Sequence, residues 1–270
     1  MITDVLRRYA AKHATVHEVL RALASHDGYF APVGYATRAL DTAMFDKLSV
    51  WGAESKLPPG KLWLFTDEAA GHAALAKGLS PGPCAGPLRG DRLLAYLPAG
   101  LAEFQVNPGS PAEDGWYMGA DALQLAAAWG RAIGLERALD AKGGDDWLDR
   151  LLDFDGWISF ALPSSAIATA VGAAGLKNPA MVFTAPDCAL AARAAIGEQA
   201  ATLTDVVTTG LKLFGAFETL GIDGYLVNPM GPGTRKVFNT TVARGLVQGI
   251  AGRDELRRLE AEARRLAGAT

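Results

Sequence analysis

His13 and His17 stand four apart in "HATVHE", a spacing that puts two imidazoles on one helix face, where they could share a metal ion. A zinc-protease motif also needs glutamate directly after the first histidine, and Ala14 stands there instead. The expectation is a solvated or partly buried helix pair. "NPMGPGTRK", from Asn228 to Lys236, has glycines that would let backbone amides approach an anion, with Arg235 and Lys236 close by. It lacks the G-x-x-x-x-G-K-[ST] frame and opens no helix, so it reads as a turn between strands. "LPSSA", from Leu162 to Ala166, fits a helix cap better than a nucleophile elbow. Asp145, Asp146, Asp149, Asp153 and Asp155 form an acidic cluster whose spacing matches no calcium loop. Cys84 and Cys188 stand far apart with no CxxC spacing, which points to reduced structural thiols. The expectation is therefore no catalytic residue, no metal ligand and no cofactor.

The more informative polar positions are Asn107 in "VNPGSP" and Asn228 in "VNPMGP". Asparagine at a strand end can bond nearby backbone and organise a proline turn, and a structural role is the first reading of both. A sharper reading makes these strand ends, with Trp51, Trp116 and Arg235, the lining of a groove between two modules that takes a peptide or small ligand.

The elements that must position these residues emerge from a repeat. An offset of 121 aligns Ala95, Gly100, Val106, Asn107, Pro108, Pro111, Ala122 and Leu125 with Ala216, Gly221, Val227, Asn228, Pro229, Pro232, Ala243 and Leu246. At the same offset Tyr96 meets Phe217, Phe104 meets Tyr225 and Tyr117 meets Phe238. "LWLFTDEAAGHAAL" matches "AMVFTAPDCALAAR" at an offset of 118, and "DGYF" matches "DGWI" at 128, so the gaps between blocks are loop-sized. The expected organisation is an N-terminal helix (1–26), a first module (27–139), a linker (140–154), a second module (155–250) and a C-terminal helix (251–270). Within each module, "KLWLFT" enters Thr66, whose hydroxyl is expected to cap the next helix while Asp67 and Glu68 meet its positive end. Thr184, followed by Pro186 and Asp187, holds the same place in the second. "EFQVN" and "GYLVN" read as strands stopped by proline, and "GWYM" and "KVFN" as return strands. The predicted order is β-β-α-α-β-β-α, an α/β (α+β) fold of two repeated modules, each a small mixed sheet packed with helices. The flanking helices are placed near Thr3 to Ala24 and near Asp254 to Leu266. The second carries an apolar stripe of Leu256, Leu259, Ala263 and Leu266 and a Glu260–Arg264 pair, suited to docking or homo-oligomerisation.

At 270 residues, half of them hydrophobic, the chain has material for two cores. A formal charge of -3 provides no broad basic field for phosphate backbones or anionic lipid, so nucleic acid and membrane are not expected partners. Arg7, Arg8, Lys12, Glu18 and Arg21 interrupt the apolar residues of the first 24, which excludes a signal-peptide core there. A cytoplasmic protein is expected.

The order of elements resembles the amino-terminal domain of the SseB family, the enhanced serine sensitivity proteins. The resemblance rests on Phe65-Thr66, "FQVNPGSP" and "WYMGADAL", and again on Phe183-Thr184 and "YLVNPMGP". It implies an α/β fold and a soluble bacterial protein that works by binding other proteins, with no assigned active site. A typical member pairs this domain with a different carboxy-terminal one, whereas the second half here looks like another copy. The functional expectation is a non-catalytic protein-interaction module that grips a protein or peptide through both modules. The alternative is a small-ligand-binding protein or enzyme with its site at the inter-module cleft.

Overall fold

A computed structural model of the chain describes residues 2–32, 61–79, 84–95, 97, 101–111, 114–141, 147–161 and 175–267. Trp51, the "LPSSA" stretch, Asp145 and Asp146 lie outside these residues, as do the side chains of Leu256, Leu259, Glu260, Ala263, Arg264 and Leu266. The fold is α/β, and the chain divides into two compact units, Met1–Gly134 and Leu135–Thr270.

In the first unit, helices α1 (Ile2–Ala10) and α2 (Val16–Ser25) precede strand β1 (Tyr29–Pro32). There follow β2 (Lys61–Leu64), α3 (Glu68–Ala76), β3 (Cys84–Leu88), α4 (Gly90–Ala95), β4 (Glu103–Val106), β5 (Trp116–Gly119) and α5 (Ala120–Asp140). Strand β2 runs parallel to β4, β4 antiparallel to β5, and β1 antiparallel to β3. Phe30 and Phe65 exchange both backbone hydrogen bonds at 2.8 Å, which joins β1 to β2. The resulting strand order is β3-β1-β2-β4-β5.

The second unit contains α6 (Trp147–Asp153), β6 (Trp157–Ala161), β7 (Pro179–Phe183), α7 (Pro186–Ile196), a 3-10 turn (Gly197–Thr202) and β8 (Thr204–Thr208). It continues through α8 (Gly210–Gly215), α9 (Phe217–Leu220), β9 (Gly224–Val227), β10 (Lys236–Asn239) and α10 (Thr240–Ala267). Its sheet has the order β8-β6-β7-β9-β10, with β7 parallel to β9 and the other pairings antiparallel.

The pairings of the two units correspond, except that β1–β3 shifts register after Tyr29 where β6–β8 runs without a break. Leu62 faces Phe104 in one, and Ala180 faces Tyr225 in the other; Tyr29 faces Leu88, and Trp157 faces Thr208. The phenol of Tyr29 donates to the Leu23 carbonyl at 3.1 Å, and the indole of Trp157 donates to the Leu151 carbonyl, also at 3.1 Å. A buried aromatic N–H or O–H thus takes up an orphan carbonyl at the end of the preceding helix in both units, with different chemistry in each. The amide of Gly90 bonds His26 and that of Gly210 bonds Phe154, and in both places a β-carbon would collide with a carbonyl oxygen of that helix.

Several sequence expectations are corrected. Each unit carries an additional strand, β3 or β8, between its two middle helices. "CAGPL" hides it because glycine and proline lack strand patterning, and "TDVVT" because an exposed edge shows no apolar alternation. The N-terminal helix is two helices, since Thr15 and Glu18 form a capping box that starts α2 at Val16, with Lys12 at φ 61° in the break. The C-terminal helix is one element with the helix before it, because α10 continues through Gly249 and Gly252. The return strands and last helices correspond at an offset of 120, not 121: Met118 and Phe238 are buried, whereas Tyr117 is 57% exposed and Val237 46% exposed. A slip of one residue exchanges the two faces of a strand, so the aromatic match of Tyr117 with Phe238 does not hold. In the last helices Leu123 and Ala126, not Ala122 and Leu125, share the buried face occupied by Ala243 and Leu246.

Among the described residues no helix is long and apolar enough to cross a membrane. The division between the units falls inside α5 rather than in the stretch 140–154, which itself contains α6.

Burial raises the phenols of Tyr29 and Tyr225 well above the ordinary value of 10.0, and Tyr225 donates to the Leu213 carbonyl at 2.9 Å. A group whose pKa is raised by folding contributes stability that is fully present below its unfolded pKa and is lost as pH climbs through the folded value. The chain is therefore expected to lose stability from about pH 10 upward. Phenolate absorbance followed with circular dichroism should show these two tyrosines ionising only together with unfolding, and Tyr29→Phe should remove part of that alkaline transition.

Candidate functional site

The two asparagines singled out from the sequence sit at equivalent points, each one residue past the end of a parallel strand. Their backbone φ values are 49° at Asn107 and 43° at Asn228, in the left-handed region that asparagine tolerates better than most residues. The Asn107 amide N–H bonds the Leu64 carbonyl at 2.8 Å, and that of Asn228 bonds Val182 at 2.9 Å, extending each parallel ladder by one rung.

Their side chains then clamp what lies on either side. The Asn107 Oδ1 accepts from the Thr66 backbone N–H at 2.9 Å, while Nδ2 donates to Thr66 Oγ1 at 3.0 Å and to the Asp114 carbonyl at 2.9 Å. The Asn228 Oδ1 accepts from the Thr184 N–H at 3.0 Å, and its Nδ2 donates to Thr184 Oγ1 at 2.8 Å and to the Thr234 carbonyl at 3.1 Å. Both side chains are buried and both use donor and acceptor fully inside the fold. They act on the neighbouring strand and the far side of the turn, a wider reach than the local turn bond expected from sequence.

This also corrects the expected caps. Thr66 is occupied by Asn107, and Asp67 caps α3 by accepting from the Ala70 N–H at 2.8 Å. The Thr184 hydroxyl donates to Glu136 Oε1 at 2.6 Å, and α7 begins with Ala185 in the cap position without a side-chain bond. Glu136, from the end of α5, is buried and was not anticipated; a lone glutamate on an Ala-rich helix carries no motif. Gly233 lies against it, where a β-carbon would stand 2.6 Å from both Asn228 Nδ2 and Cys188 Sγ and 2.8 Å from Glu136 Oε1. Only glycine fits.

The glycine-containing stretch from Asn228 to Lys236 is the turn joining β9 to β10, as expected. Thr234 donates to Asp140 at 2.7 Å and Lys236 pairs with Asp140 at 3.5 Å, whereas Arg235 is exposed. Trp116 is half-buried on β5, its ring edge-on to Phe104 at 5.9 Å. His13 is exposed in the break before α2 while His17 lies 5.9 Å from Trp129, so the two do not share a helix face. Asp149 and Asp153 pair with Arg253 at 3.5 and 2.9 Å. Cys84 is half-buried and Cys188 buried. Among the described residues no three metal-ligating side chains gather.

By fold and by these clamps the chain is an α/β protein with two asparagine-locked strand-end turns. Comparison with protein-family models, curated proteins and solved structures finds no match to it.

Replacing Asn228 by alanine strands the buried Thr184 N–H, takes the amide donor from the part-buried Thr234 carbonyl and from the Thr184 hydroxyl, which keeps its bond to Glu136, and puts in the left-handed region a residue that tolerates it less well than asparagine. At about 1–3 kcal/mol for the stranded N–H and roughly 1 kcal/mol for the backbone, Asn228→Ala should lose about 2–4 kcal/mol. Asn228→Gly keeps the backbone relaxed and should fall between wild type and alanine. Urea denaturation of the intact chain measures both, and equal losses would show that the backbone conformation carries none of the cost.

Proposed function

We propose that the chain is a non-catalytic, cytoplasmic bacterial interaction protein of SseB-like type, which binds a protein or peptide partner using surfaces on both units. The observation that supports this most is the matching use of the two asparagines in the two units. Both asparagines spend their side chains on the same internal clamp, so the turns they organise present shape and exposed side chains rather than reactive groups. Matching ladders, clamps and glycine contacts in the two units also support their origin by duplication of one unit. A duplicated binder keeps two related surfaces on one chain, and covalent connection raises the effective concentration of the second contact once the first is made.

Among the exposed side chains close in sequence to the two clamps are Tyr117 on β5 and Arg235 in the second turn. They are the positions through which an extended partner would be felt in each unit. Capture with the intact chain from its host, followed by titration of the purified partner, tests the reading. Tyr117→Ala and Arg235→Ala should each weaken binding at least tenfold without lowering the melting temperature. Loss confined to one unit would refute the use of both, and cofactor- or metal-dependent turnover would refute the non-catalytic assignment.

A further inference from the structure

Strand β8 forms one edge of the second unit's sheet, and its outer side faces no other strand among the described residues. Of its five residues, Thr204, Asp205, Val206 and Val207 are exposed; Val206 is 42% and Val207 66% accessible. A row of unpaired N–H and C=O groups flanked by β-branched side chains is a template for another strand, and proteins ordinarily blunt such edges with proline, charge or a bulge.

The first unit does blunt its own. Strand β3 occupies the corresponding edge and carries Gly86 and Pro87, and a proline there has no N–H to offer a neighbour. Strand β8 has neither residue, and its single charge is neutralised within the unit. Asp205 is bound by Arg193 at 2.6 Å, and that guanidinium lies 4.9 Å from the ring of Phe160, which faces Asp205 across the ladder. The edge is therefore left open and without uncompensated charge.

We propose that β8 pairs antiparallel with β8 of a second copy of the chain, across a two-fold axis passing through Val206. The segment "TDVVT" is self-complementary about that residue. In this register Val206 meets Val206, Thr204 meets Thr208, and Asp205 meets Val207. Val–Val and Thr–Thr are cross-strand pairs that stabilise antiparallel ladders, and each carboxylate meets a methyl surface rather than another carboxylate. The two five-stranded sheets become one. The contact is isologous, so it closes at two copies and does not propagate. A five-residue edge buries less than the roughly 1,200–2,000 Å² of a standard interface, which points to a dimer dissociating on the order of 10–100 µM.

Sedimentation equilibrium of the intact chain over that concentration range should show a monomer–dimer equilibrium. Val206→Lys and Val206→Glu each place two like charges directly opposite one another and should weaken the dimer at least tenfold. Mixed in equal amounts, the two variants should form a heterodimer at least as readily as wild type associates, which a merely misfolded protein would not do. Val237→Lys, on the opposite edge strand β10, should leave association unchanged. A wild type that stays monomeric throughout, a dimer that survives Val206→Lys, a mixture that fails to associate, or loss of the dimer in Val237→Lys would each overturn the proposal. So would a monomer that instead takes up an unrelated extended peptide at β8.

Discussion

Two parallel neighbours, β2 with β4 and β7 with β9, end at the same level in each unit, and their ends leave a problem of hydrogen bonding. The residue before each helix cap, Thr66 or Thr184, has a buried N–H facing a strand that has already stopped. An unmade bond there costs about 1–3 kcal/mol. Asparagine solves it because one amide carries both an acceptor and a donor: its oxygen takes the threonine N–H, and its nitrogen reaches the threonine hydroxyl and the far limb of the turn. The left-handed backbone aims the side chain back across the strand end. The start of the helix, the path of the turn and the register of the return strand all follow from that one residue.

Each clamp is held from outside by a helix, with opposite polarity. In the first unit Arg7 on α1 forms a two-pronged pair with Asp114, whose carbonyl accepts from Asn107. That guanidinium, bonded to the Asp114 carboxyl, holds its pKa below the ordinary value. In the second unit Asp140 at the end of α5 accepts from Thr234, whose carbonyl accepts from Asn228, and Glu136 one turn earlier takes the Thr184 hydroxyl. The tail of α5 does for one turn what α1 does for the other. This explains why the unit boundary falls within α5: its first part contributes Leu123, Ala126 and Trp129 to one core, and its last turns carry polar groups committed to the next.

Much of this was legible in the sequence. Valine-asparagine-proline read as a strand stop, the α/β class followed from the alternation of short apolar runs and helices, and the first two matched blocks, with the third as far as the Val-Asn-Pro strand end, have the ladder positions that their offsets imply. What stayed hidden was of two kinds. Edge strands such as "CAGPL" and "TDVVT" are only partly buried, so burial leaves no periodic mark on them. The one-residue shortening of the second turn is invisible to an alignment by identity, because Ala122 with Ala243 and Leu125 with Leu246 match in type at the wrong register. Only burial separates the two registers, since Leu125 is 38% exposed where Leu246 is buried. Glu136 was illegible for another reason: its partner Thr184 lies 48 positions away and neither residue forms a motif.

Ladders and clamps constrain the inside of a sheet, but nothing in them constrains the outer side of its last strand. On its inner side β3 pairs with β1 through a register shift after Tyr29, whereas β8 pairs with β6 at five consecutive positions. Two units that share the same asparagine clamp can therefore differ in the chemistry of their sheet edges. The difference is directional: proline in β3 has no N–H to donate, whereas every residue of β8 has one and its only carboxylate is paired with Arg193. Neutralising Asp205 with a guanidinium already packed on Phe160 adds little to a surface ion pair's worth of stability. Its larger physical effect is on the edge itself, where it removes the charge that would otherwise repel an incoming strand.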